Sequence, residues 1–282
     1  MKTFLSVDVE DWFQVDNLKQ AITRESWDGN VSRVERNVDV SLGLLDKYGS
    51  TSTFFVLGWI ADRFPQVVKK IHQQGHEIAC HGYNHDLVYS LTPESFRQDV
   101  IRTKNILEDY IGEQIIGYRA PNFSITDWAI DVLISLGFKY DSSLFLTVAH
   151  KRYGKLLDYK VPKNSIFELK TNFYQVMLSN VDIAGIKLPW SGGFYFRFIP
   201  YQIFRLGINK ILNDKGIYIF YIHPWEFDPK QPRVKNIDYQ YKFRHYTNLE
   251  KTESKFIHLL NNYKFLPIRT FLTYSDDTFN AI

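Results

Sequence analysis

The chain has 282 residues, 45% of them hydrophobic, enough to bury a sizeable core in one large domain or two small ones. Its 34 Lys and Arg against 31 Asp and Glu leave a formal charge of +3, and no charge run suggests nucleic-acid binding or a polybasic membrane patch. A single cysteine, Cys80, excludes an intramolecular disulfide framework, and its place in an apolar run points to a buried thiol. Residues 1–7 hold no apolar signal core and no stretch is long enough to span a bilayer, so the expected location is the cytoplasm. Aromatics at 16% suit stacking on sugar rings and suit an ordinary core equally.

Residues 3–7 are β-prone and run into Asp8-Val9-Glu10-Asp11. Residues two apart share a strand face, so Asp8 and Glu10 point the same way, and like charges that close need a cation or an arginine. Apolar positions 34, 38, 42 and 45 have helical spacing, with Gly49 as the stop. Residues 51–56 read as a buried strand. Pro65 opens a helix that Gly75 closes, and Ile78-Ala79-Cys80 is a short buried strand delivering His81. After Gly82 the chain reaches His85. Two imidazoles so spaced can converge on one divalent cation.

Thr92 and Pro93 open a long helix that ends at Gly112. A short strand, 115–118, delivers Arg119-Ala120-Pro121. Thr126 is expected to cap a helix closed by Gly137, and residues 138–140 lead to Asp141. Residues 143–200 are less regular, with strand-like runs at 166–169, 173–178 and 183–188. A helix is expected near 200–215, ended by Gly216. Residues 217–222 form a continuous apolar run ending in His223-Pro224-Trp225-Glu226. Residues 228–246 are expected to be a loop covering the site, followed by a helix at 248–263. Strand–helix alternation with Asp8, His81, Arg119 and Asp141 at strand ends is the pattern of a parallel α/β barrel, whose catalytic groups gather at the carboxyl face. No linker is visible, so 1–282 is expected to be one catalytic domain with 228–282 as a C-terminal loop and helix extension.

The motif set resembles the polysaccharide deacetylase family, carbohydrate esterases with a NodB-type domain. Asp8-Val9-Glu10-Asp11 stands where that family has paired aspartates. His81-Gly82-Tyr83-Asn84-His85 is similar to its His-x-x-x-His, Arg119-Ala120-Pro121 to its Arg-x-Pro, Asp141-Ser142-Ser143 to its fourth motif, and Tyr221-Ile222-His223 to its late Leu-x-His. Residues 191–197 and the C-terminal region look similar to the subgroup found in bacterial exopolysaccharide and surface-glycan gene clusters. The resemblance implies an α/β fold, an irregular (β/α) barrel with fewer than eight strands.

Two histidines and one carboxylate make a catalytic zinc-type site, with Co2+, Ni2+ or Mn2+ as the other candidate ions. The carboxylate is Glu10 or Asp11, with Glu10 preferred. Asp8 is expected to be the base, Arg119 its partner, and His223 the acid that protonates the leaving amine. Asp141 is the candidate partner of His223 from the family pattern. The backbone N–H after Pro121, that of Asn122, would meet the oxyanion. Asn122 stands where the family has a tyrosine, which keeps the backbone donor but loses an aromatic wall, and Tyr221 stands where it has the leucine of the acetyl pocket, which leaves the acyl preference open. Trp12, Trp27, Trp190 and Trp225 lie near predicted site loops, with at most two expected to touch sugar. Arg197, Arg244 and His245 could bind an anionic group, though solvated surface is the blander reading of each.

The expected substrate is an N-acetylated amino sugar in a polysaccharide or in its lipid- or nucleotide-linked precursor. Docking to a membrane glycan-assembly complex is compatible with that reading, and no nucleic-acid partner is expected. The alternatives are a deformylase of a formamido sugar, a metal-free cyclic-amide hydrolase on the same fold, and a non-catalytic glycan-binding module.

Overall fold

The first strand, β1 (Lys2–Val9), carries two faces with different fates. Leu5, Val7 and Val9 join the core outside the sheet, whereas Phe4 joins a second core inside it. Ser6 and Asp8 continue the inner face of Phe4, so that face turns polar toward the carboxyl end. A computed structural model describes residues 1–146 and 153–274 of the chain.

After β1 come α1 (Val34–Lys47), β2 (Thr53–Val56), α2 (Gly58–Arg63), α3 (Pro65–Gln73) and β3 (Glu77–Cys80). Then follow α4 (Pro93–Ile111), β4 (Gly117–Tyr118), α5 (Asp127–Ser135), β5 (Tyr140–Asp141), β6 (Ile166–Lys170) and β7 (Phe173–Val176). A hairpin of β8 (Asn180–Ile183) and β9 (Ile186–Pro189) leads to α6 (Gly193–Phe198), α7 (Tyr201–Lys215), β10 (Ile217–Ile222), α8 (Tyr239–Tyr246) and α9 (Thr252–Asn262).

One curled sheet has the order β10-β1-β2-β3-β4-β5-β7-β6. Every neighbouring pair is parallel except β6 with β7, so seven parallel strands form the irregular barrel and β6 is an antiparallel edge. Beyond the strand ends, Leu178 N–H donates to the Leu144 carbonyl, Trp190 N–H to that of Ser179, and Tyr221 N–H to that of Ser191. These bonds lace the gap between β5 and β10 with backbone that is not regular strand. Gly192 makes the last approach possible: a Cβ there would sit 1.8 Å from the Tyr221 carbonyl oxygen, at φ 145°.

Helix α1 buries Val34, Val38, Leu42 and Leu45, the spacing seen in the sequence. Thr92 and Ser95 form a capping box on α4, and Gly112 ends it in the left-handed region. Other expectations are corrected. Thr126 makes no capping bond, and its hydroxyl is buried without a partner. The run 183–188 is split by a turn at Ala184 and Gly185, both at positive φ, into the β8–β9 hairpin. Residues 228–246 are not all loop, because α8 occupies 239–246. The short helices α2 and α6 had no sequence signal. Residues 275–282 of the expected C-terminal extension lie outside the described residues. No described helix is long and apolar enough to cross a membrane.

Candidate active site

The carboxyl ends of β1, β3, β4 and β10 deliver Asp8, His81, Arg119 and His223 to one mouth of the barrel. Glu10 follows β1 in a tight turn in which its N–H donates to the Asp8 carbonyl. His85 closes the loop after His81 and sits at φ 58°, strain that the surrounding loop must hold. Asp99 of α4 supplies part of that hold by accepting the Tyr83 N–H at 3.0 Å.

Glu10 Oε1 lies 3.2 Å from His81 Nε2 and 2.9 Å from His85 Nε2. The donor atoms of these three buried residues lie within 4.8 Å of one another. His81 Nδ1–H is committed to the Arg119 carbonyl at 2.8 Å, which only accepts. In its neutral form the ring then turns its Nε2 lone pair toward a carboxylate oxygen. Two lone pairs so close repel unless a proton or a cation lies between them, and a fixed tautomer behind a His–His–carboxylate set is the arrangement of a metal ligand. Burial opposes charge on Glu10, yet His85, His223 and His81 outweigh it and hold its carboxyl well below the usual range. The residues present fit a divalent cation of the zinc type.

Asp11 does not join them, which corrects one of the two metal-carboxylate candidates. Its Oδ2 accepts from Ser32 Oγ at 2.5 Å, Arg33 N at 2.8 Å and Val34 N at 3.2 Å, serving the start of α1. Asp8 faces the other way, to Arg119, whose Nη1 donates to its Oδ1 at 2.6 Å. The guanidinium is fully buried and also donates to Ser6 Oγ, Ser142 Oγ and the Ser142 carbonyl, lying over the Phe55 ring. Nothing about it is left to solvent, so its orientation is fixed.

Asp8 Oδ2 lies 4.0 Å from His223 Nε2. His223 Nδ1–H donates to Glu226 Oε1 at 2.8 Å, and Glu226 Oε2 accepts from Arg197 Nε at 2.6 Å. Burial opposes charge on His223, but Glu10, Glu226 and Asp8 push its pKa up to about 9. Asp141 has no part in this. It accepts from Ser143 Oγ at 2.5 Å and Gln175 Nε2 at 2.9 Å, and Ser143 Oγ takes the Ala120 N–H at 2.7 Å. Asp141 therefore steadies the Arg119–Pro121 turn, and the expected pairing with His223 is corrected to Glu226. Burial pushes its pKa up to about 6 against the hydrogen bonds of Ser143 and Gln175. Glu226 had a signal that was not read: His223 at an N-cap, Pro224 next, and Glu226 at the third helical position.

The cavity is lined by Asp8, Glu10, His85, Asn122, Tyr221 and His223, together with Phe194 and Tyr195. Asn122 sits at φ 50° and its side-chain amide nitrogen has no protein partner. Pro121 is buried beside Gly82. Of the tryptophans considered, Trp225 lines the cavity, between the His223 and His245 rings. Trp190 does not: it stacks on Phe204 at 5.3 Å and donates to the Phe204 carbonyl, in core space left by Gly207. Trp12 and Trp27 pack against Phe13. Arg197 is an internal partner and not an anion site, since it also donates to the carbonyls of Arg244, His245 and Thr247 at the end of α8. His245 is buried, and Arg244 lines the cavity rim.

Residues 27–140 match the family model for polysaccharide deacetylase, and residues 142–273 match a domain of unknown function, DUF3473. A peptidoglycan deacetylase of Helicobacter pylori is 26% identical over 175 residues, 62% of this chain and 58% of that protein. A peptidoglycan-N-acetylglucosamine deacetylase of Bacillus cereus is 29% identical over 116 residues, 36% of this chain and 42% of that one. The chain thus spans about half the length of these relatives. A solved Mycobacterium smegmatis structure, provisionally designated a polysaccharide deacetylase, superposes with a TM-score of 0.61 at 17% identity, covering 99% of this chain and 90% of that one.

Proposed function

Given a chain that belongs, through residues 27–140, to the polysaccharide deacetylase family, we propose that it is a metal-dependent hydrolase removing an N-acyl group, chiefly acetyl, from an amino sugar of a glycan. The observation that carries this reading is the meeting of three constellations in one cavity: Glu10–His81–His85, Asp8–Arg119 and His223–Glu226–Arg197. A divalent cation held by the first, Zn2+ by its donor set, supplies Lewis acidity to the amide carbonyl.

The chain's own groups do the rest. Asp8 takes a proton from the attacking water, and Arg119 compensates its charge and holds its geometry. The C–O bond forms as the amide carbon becomes tetrahedral, and the Asn122 N–H is the candidate donor to the oxyanion. His223 gives its proton to the nitrogen as the C–N bond breaks, leaving a carboxylate and a free amine. Glu226 keeps His223 protonated, and Arg197 keeps Glu226 charged.

The same reading makes the two matched regions one catalytic domain, supported by the pairing of β10 with β1 and by the 4.0 Å approach of His223 to Asp8. The test is metal content of wild type beside His81→Ala, with acetate and formate release from N-acyl amino sugars in the same samples. About one metal per chain, lost together with hydrolysis in His81→Ala, is expected. Wild type that stays metal-free after reconstitution refutes the mechanism. Formate release without acetate moves the acyl assignment to formyl, which the Tyr221 ring packed 5.2 Å from Phe123 would favour by narrowing the wall.

A further inference from the structure

A second cavity is larger than the reacting one, about 500 Å³ against about 100 Å³, and shares no lining residue with it. It lies at the seam where the sheet does not close, between β6 and the start of β10. Ile217, the first residue of β10, lines it, and His223 follows the far end of that strand. At the usual rise of a strand the two cavities are about 20 Å apart. A volume of this size suits a small organic ligand.

The lining is amphipathic. Buried Ile166, Met177 and Ile217 give it an apolar wall. Lys163 and Lys187, both exposed, and Lys215, half-buried, give it a basic rim. The lysines come from three separate stretches of chain, so no charge run in the sequence announces them. Both carboxylates at the rim have other partners: Asp214 pairs with Lys210 at 2.9 Å, and Asp182 accepts the Gly185 N–H at 2.8 Å. Among the described residues Lys215 has no hydrogen-bond or ion-pair partner. The last turn of α7 favours one cation there, but not a second beside it. Burial lowers the pKa of Lys215, Lys187 lowers it further, and Asp182 and Asp214 only partly oppose them. Ammonium groups so placed against an apolar wall favour an anion that has an apolar body.

The hairpin that carries Asp182 and Lys187 adds an independent observation. It pairs Val181 with Leu188 and Ile183 with Ile186. Val181 is buried and Leu188 packs on the core, but Ile183 and Ile186, next along the same face, are each 53% exposed. Ala184 and Gly185, at positive φ, make the tight turn that sets them side by side at the tip. The turn needs only those two backbone conformations, so it does not account for the isoleucines. An apolar tip beside a basic rim matches an anionic bilayer, where the side chains enter the acyl region and the ammonium groups meet phosphates. A soluble anion would leave the tip without a partner.

We infer that the seam cavity and the β8–β9 tip form a second binding site, one that takes the phosphate head and adjoining acyl chain of an anionic phospholipid at a bilayer surface. The site stands apart from the reacting groups and does not rest on the deacylase reading. Its test is sedimentation of the full chain with vesicles of phosphatidylcholine, alone or with about 30% phosphatidic acid. The proteins are wild type, the double variant Lys187→Ala with Lys215→Ala, and the double variant Ile183→Ser with Ile186→Ser. Wild type is expected to sediment with the phosphatidic acid vesicles and not with phosphatidylcholine, and each double variant to partition roughly tenfold or more weakly. Sedimentation that is absent, indifferent to the anionic lipid, or kept by either double variant overturns the inference. Removing Lys215 should leave Tm unchanged or raise it; a fall would mark the lysines as supports of the fold and overturn the site. Soluble dioctanoyl phosphatidic acid should raise the Tm of wild type and not that of the lysine variant, and no rise overturns the cavity as the headgroup site. A rise without sedimentation would assign the cavity to a free amphiphile and overturn the bilayer.

Discussion

Replacing Glu226 by Gln tests the acid of the reaction without touching the cation cluster. In the proposed mechanism His223 donates a proton to the leaving amine, so activity should fall as pH rises through its pKa. The lift from an ordinary 6.5 to about 9 corresponds to a preference of roughly 3 kcal/mol for the charged ring. Glu226 contributes to it twice, by hydrogen bond and by charge, beside Glu10 and Asp8. A cation on Glu10 cancels that residue's share and leaves Glu226 as the principal support, placing the wild-type limb below 9. Loss of the carboxylate charge is expected to move the alkaline limb of kcat down by roughly 1–1.5 units. At pH 9 the variant then falls ~10-fold or more, and at pH 6 it stays close to wild type. The buried Arg197 loses its counter-charge but keeps three carbonyl acceptors, so stability drops by about 1–3 kcal/mol, and folding is checked by circular dichroism. The measurement is kcat against pH from 5 to 10 for both proteins. A folded, active variant whose alkaline limb coincides with that of wild type refutes the assignment of His223 and Glu226 as an acid and its support.

Three further outcomes are expected. Asp11→Ala removes three bonds at the start of α1 and should lower stability by about 1–3 kcal/mol in urea melts while keeping the metal, whereas Glu10→Gln should lose the metal; a metal-free Asp11→Ala contradicts this division of labour. Asn122→Gly keeps the φ of 50° and the backbone donor but removes the unpartnered amide, so kcat/KM should fall roughly tenfold at unchanged Tm; an unchanged kcat/KM denies the side chain a substrate contact. Burial pushes His76 down to about 4, against a weaker opposing pull from Asp46. The unfolded chain therefore takes up this proton first, and stability present above about pH 6.5 is lost as pH falls toward 4, by ~3 kcal/mol at most. His76→Gln should lose that share of the acid slope in urea melts at pH 7 and pH 4.5, and an unaltered slope would show that His76 is not its source.

The sequence announces chemistry that sits at the end of a recognisable strand. Asp8, His81, Arg119 and His223 each follow a short apolar run, and in a parallel sheet that alone brings them to one face. It does not announce which neighbouring carboxylate turns inward. Glu10 and Asp11 are adjacent, and the choice was made by α1, whose first N–H groups claim Asp11 from more than twenty positions away. Asp141 was misplaced for the same reason, because its partners Ser143 and Gln175 are brought together by β5 and β7. Helices α6 and α8 escaped notice because their aromatic residues are poor helix formers, and part of their apolar surface faces out. Helix α1 was plain because Val34, Val38, Leu42 and Leu45, at helical spacing, all pack into one core.

The pairing of β10 beside β1 has a consequence for how the protein is made. The Ser6–Phe220 contact spans 214 positions, and Asp8 and His223 meet across a similar length of chain. A ribosome has therefore released Glu10, His81 and His85 long before His223 exists. Until β10 arrives, β1 offers a row of unpaired backbone N–H and C=O groups to any other nascent strand. Assembly of this mouth is a late, high-contact-order event. A fragment cut at residue 140, the end of the deacetylase match, would carry Glu10, His81 and His85 yet present that open edge, and its expected fate is aggregation.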